Sequence, residues 1–216
     1  MYRTMKFEEK KDTKIREERK LLKEHGKALK FFIYLFFGFI VAYSIWFVFL
    51  PESTTEILFS SQIDTIAQIN SNISGQFAGS DVLFQILLNN LKVLLFCIFF
   101  AFFFGAGAIF ILTWNATVIG AAIGGFVKAK VTSSLSYLHL FPTAIMRYMT
   151  HGLFEILAYF AAGLAGGIIS VAIINHDLKS EKFKTVVRDS FDLITLAVLI
   201  LVFAAFIEVY ITPLLF

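Results

Sequence analysis

The chain has 216 residues, 58% of them hydrophobic and 16% charged, with a formal net charge of +3 and a mean hydropathy of +0.77. So few charges cannot cover the surface of a water-soluble domain of this length, and that class is excluded. Continuous apolar runs of about 18 or more residues mark membrane spans, so the composition reads as an all-α, polytopic membrane protein.

Residues 1–28 form a mixed-charge segment rich in helix formers; residues 1–30 hold eleven of the nineteen Lys and Arg against six acidic residues. It reads as a cytoplasmic helix extending the first span, with contact to anionic headgroups as the functional alternative. The first span, 29–50, follows a charged leader too long for a cleaved signal and reads as an uncleaved anchor. No Lys or Arg occurs from Phe31 through Leu91, whereas Glu52, Glu56, Asp64 and Asp81 do. Because basic residues mark cytoplasmic flanks, the N-terminus is expected inside and the loop 51–90 outside. Within that loop Ile57, Leu58, Ile63, Ile66, Ile69 and Ile73 recur at helical spacing, predicting an interfacial or bundle-packed helix. Matches to a glycosylation acceptor at Asn72 and Asn115 carry little weight.

The second span is expected over 91–114, running inward from the outer loop, and the fourth over 151–174, running inward to reach the basic cluster Lys179, Lys182, Lys184 and Arg188. One outward crossing is then needed between them. The candidate, Asn115–Val127, rises only about 20 Å against a hydrocarbon core of about 30 Å. Continuation past Lys128 and Lys130, snorkelling to the outer interface, gives a span over 115–137; a re-entrant segment is the alternative. A last span over 191–212 brings the total to about five, with the C-terminus outside. All of 29–216 is then one transmembrane domain. Cys97, the single cysteine, lies inside a span and reads as apolar filler.

Polar residues in lipid are costly and normally face protein or a water path. His151 and Glu155 share one helix face at i and i+4, and with Asn89, Asn90 and Asn115 they form the expected polar node. It reads as a cap at the outer end of span four, an organising hydrogen-bonded node, or the lining of an ion path. Glu208 in the last span has no partner by local spacing. No metal site is expected, since His139, His176 and Cys97 cannot complete a ligand set. Ser136 and Ser170 have no base in a recognisable motif, and no phosphate loop or nucleic-acid motif is present. Gly120 with Gly124, and Gly163 with Gly167, form GxxxG pairs that allow close helix packing, within the bundle or in a homodimer seam. Gly152 joins the packing set, and Gly105 and Gly107 thin the middle of span two.

"NNLKV" at 89–93, "NATVIG" at 115–120 and "HGLFEILA" at 151–158 with its glycine-rich continuation together resemble the stage II sporulation protein M family. The pattern covers about residues 85–175. Thr150 and Ala158 stand where that family commonly has proline. The resemblance implies a five-span membrane protein whose namesake is a scaffold for peptidoglycan-degrading partners during engulfment. The combined expectation is a non-enzymatic plasma-membrane scaffold of the cell envelope, without a cofactor. Its partners would be membrane lipids, other envelope proteins and, as an option, a second copy of itself, with no nucleic acid. An ion or small-solute channel with His151 and Glu155 along its path is the alternative.

Overall fold

The computed structural model describes residues 18–74, 79–104, 107–175 and 180–215, in which the regular elements are all helical. The charged segment 1–17, Gly105, His176 and Lys179 lie outside the described residues, as do the side chains of Ile69, Asn72 and Ile73 and the surroundings of Gly107. The long helices are α1 (Glu18–Phe49), α4 (Gly79–Phe104), α5 (Gly107–Lys130), α6 (Tyr137–Asn175) and α7 (Glu181–Phe206). Two shorter helices, α2 (Glu52–Leu58) and α3 (Ser60–Ser74), follow α1. A 3-10 turn, Ser134–Ser136, precedes α6; a π turn, Ile207–Ile211, and a last helix, α8 (Thr212–Leu215), follow α7.

Four stretches are long and apolar enough to cross a membrane: Asp81–Phe104, Ile109–Lys130, Ser134–Ile174 and Glu181–Leu215. Ile33–Phe49 within α1 is a shorter apolar fifth. The chain is a multi-pass α-helical membrane protein. The helix break expected between Trp114 and Asn115 falls instead between Phe104 and Gly107. That shift gives α5 its 24 residues, about 36 Å of rise, so the shortfall read from Asn115–Val127 disappears. The helix ends at Lys130, not at 137. The fourth helix also starts earlier than 151. Pro142 near its beginning removes only the hydrogen bond to Leu138, while Thr143 and Thr150 return their hydroxyls to the carbonyls of His139 and Met146 within the helix.

The chain divides into two compact units. One comprises 35–88, 113–153 and 204–215. In it Pro51 ends α1, because the residue before a proline is pushed out of helical geometry, and stands as N-cap of α2 with φ −54° and ψ 146°. α2 and α3 turn Thr55, Phe59, Gln62 and Ile66 inward. These positions repeat at helical spacing on one face. Phe59 meets Phe47 edge-on at 5.0 Å and packs with Ala121 in one buried cluster. The helical reading of this segment holds, but Ile57 and Leu58 lie on the outer side, 76% and 60% exposed. Gln62 Nε2 donates to Thr117 Oγ1 at 3.1 Å, tying α3 to α5. Lys128 does not snorkel away: its Nζ donates to Leu50 O and Thr55 Oγ1, both at 3.5 Å.

The other unit comprises 18–34, 89–112 and 154–203. Its centre is the second part of α6, where Ala158 through Ile168 are all buried. Alanines and glycines dominate that stretch, so neighbouring backbones approach closely, as packing in lipid favours. Phe154 and Phe203 meet edge-on at 5.1 Å. Leu95, Phe96, Phe99, Phe103 and Leu199 lie on the outside. In water such an apolar surface would drive association; in a bilayer it is the solvated face.

Candidate functional site

Asn90 is buried on α4 and uses both ends of its amide. Its Nδ2 donates to Glu155 Oε1 at 2.5 Å, and its Oδ1 accepts the Tyr159 hydroxyl proton at 3.0 Å. Glu155 and Tyr159 are one turn apart on α6, so a single asparagine bridges two side chains of one face. This double engagement fixes the amide orientation through the network. The group is well inside its helices. Asn90 is about 16 Å along α4 and Glu155 about 27 Å along α6 by helical rise, so Glu155 does not cap a span end as its sequence position suggested.

His151 engages other partners. Its Nδ1 lies 3.3 Å from Thr212 Oγ1, and its Nε2 lies 3.9 Å from Glu208 Oε1. The Thr212 hydroxyl itself donates to Ile207 O at 3.2 Å. Its lone pairs are therefore what it offers His151, which assigns a proton to Nδ1. Nε2 faces the Glu208 carboxyl at 3.9 Å, outside hydrogen-bond distance. Glu208 and Thr212 reach this position through the π turn. Pro213 has no N–H for Val209 and crowds that carbonyl; the helix widens, and Thr212 N–H reaches back to Ile207 O. Turns of this kind are often found at functional positions.

Of the expected node, Asn90 and Glu155 are brought together, and His151 is joined to Thr212 and Glu208. Asn89 is exposed, and Asn115 is half-buried within α5 rather than at a helix end. Gly120 and Gly124 both face α1. A Cβ on Gly120 would stand 2.8 Å from Tyr43 Cβ, and one on Gly124 would stand 2.6 Å from Phe47 Cβ. Gly163 and Gly167 are buried. Their neighbour Gly166 makes a close approach, with Ile98 O 2.6 Å from where its Cβ would be. A Cβ on Gly152 would stand 3.4 Å from Met149 Cε, an ordinary contact.

Sequence reasoning passed over Tyr159 and Thr212. Tyr159 was findable, since it follows Glu155 by one turn; Thr212 was not, because only the π turn presents it. Among the described residues no group of three or more His, Cys, Asp or Glu is placed to hold a metal.

The chain is similar to an uncharacterized protein of Methanocaldococcus jannaschii, MJ0793. The two are 33% identical over 132 residues, which are 60% of this chain and 70% of the relative. No solved structure matches the chain. The family described as Stage II sporulation protein M matches residues 28–213, from the first apolar helix to Pro213. With that match extending over all five long helices, the chain belongs to the Stage II sporulation protein M family.

Proposed function

We propose that this protein is a non-enzymatic scaffold of the plasma membrane that positions other proteins of the cell envelope. Its N-terminus is cytoplasmic, and α2 and α3 lie outside. The observation that carries the reading is the Asn90–Glu155–Tyr159 group. Its polar atoms serve one another across α4 and α6, which locks two helices instead of leaving ligands for a passing ion. Family membership supports the same reading only through the scaffold role that the resemblance implies for the namesake. The outer segment suits recruitment: its inner side is pinned by Phe59 and Gln62, and its outer side offers Ile57 and Leu58.

Flux in proteoliposomes tests this directly. The purified chain, reconstituted with proton- and ion-sensitive dyes and stepped across the histidine titration range of about pH 5 to 8, is expected to leak no more than empty vesicles. A channel is the second reading, favoured by the His151–Glu208 pair at 3.9 Å beside the π turn. That reading predicts pH-dependent flux whose midpoint moves with His151→Ala, and such flux would overturn the scaffold.

A further inference from the structure

Two cations share one aromatic ring at the end of α5. Lys130 Nζ stands 4.2 Å from the Phe126 ring centroid, and Arg147 Cζ stands 5.8 Å from the same centroid. The two charges are thus within about 10 Å of each other, about one Debye length in physiological salt. Beside lipid, screening is weaker than in bulk water, so their repulsion is stronger there. Among the described residues neither is joined to an acidic side chain, unlike His151 with Glu208 or Lys184 with Glu181. The neighbouring Lys128 is different in kind, because it is directed to Leu50 O and Thr55 Oγ1. A planar guanidinium and an ammonium gathered on one ring offer a phosphate group a fork and a point charge.

The surroundings specify which phosphate. The apolar stretch Ile109–Lys130 ends on Lys130 itself, and basic residues at the end of a span sit at headgroup level. Leu135 and Leu138, which follow the end of α5 in sequence, and Met146, next to Arg147, are 75%, 75% and 62% exposed. An acyl chain suits such a surface, and a free ion would leave it in water. From these residues we infer that Phe126, Lys130 and Arg147 form a binding site for the phosphate headgroup of an anionic membrane lipid. The inference rests on the multi-pass fold and not on the scaffold reading.

The test is thermal unfolding of the purified full chain in detergent, titrated with phosphatidylglycerol, phosphatidylcholine or inorganic phosphate. Phosphatidylglycerol is expected to raise the midpoint well beyond phosphatidylcholine at equal mole fraction, and inorganic phosphate is expected to have little effect. Lys130→Gln and Arg147→Gln should each weaken the apparent affinity for phosphatidylglycerol about fivefold. Equal stabilisation by the two lipids, or full stabilisation by inorganic phosphate, overturns the lipid site. So does an unchanged affinity in Lys130→Gln, which alters an exposed helix end and decides the matter even if Arg147→Gln fails to fold.

Discussion

Glu155 carries a carboxyl group well inside a helix, where a charge costs about 2.5–3.5 kcal/mol on insertion scales. Asn90 offsets part of that cost by offering an N–H, and Tyr159 occupies the remaining end of the amide. The two bonds should differ when removed. Tyr159→Phe deletes one interhelical hydrogen bond and should cost about 0.6 kcal/mol, the usual value in membrane helices. Asn90→Leu removes both bonds and takes the amide from Glu155 and Tyr159 alike, so about 1–3 kcal/mol is expected. Reversible unfolding in mixed micelles measures both, and equal losses would mean that Asn90 does not bridge. His151 permits a different check. If Thr212 accepts from it, nitrogen NMR of labelled histidine will find the neutral ring protonated at Nδ1. Thr212→Val should abolish that preference.

Among the elements, the approach of α5 to α1 is close enough for a substitution to test it. Gly124→Ala places a methyl 2.6 Å from Phe47 Cβ, and overpacking of this kind costs about 1–3 kcal/mol. Gly38→Ala on α1 meets nothing within 4 Å and should be neutral or slightly stabilising, since alanine favours helix. The pair of variants, compared by thermal unfolding, separates close packing from general helix propensity. The apolar runs and the spacing of Gly120 and Gly124 were legible because they are local. Helix ends were not. The break between Phe104 and Gly107 lies inside one unbroken apolar run, while Trp114 and Asn115 gave a stronger end signal from the middle of α5. The start of α6 was hidden by His139, Pro142 and Arg147, which lower hydropathy without interrupting the helix. The inward face of α2 and α3 was misplaced for a related reason. Polar Thr55 and Gln62 turn inward because partners on other elements accept or donate to them, and periodicity of apolar residues cannot report that.

For the whole molecule the open variable is sidedness. The proposed orientation predicts that a cysteine placed at exposed Glu56 reacts with an impermeant maleimide in intact cells. One at exposed Lys184 should react only after permeabilisation. The reverse pattern would place the basic loop outside and invert the scaffold's outer face. The chain is well suited to this experiment because of Cys97, fully buried at 0% exposure. Its thiol is shut away among packed side chains and is the only one the sequence contains. To a surface reagent the unaltered protein is therefore blank, and each introduced cysteine reports its own address without any prior change to the native sequence.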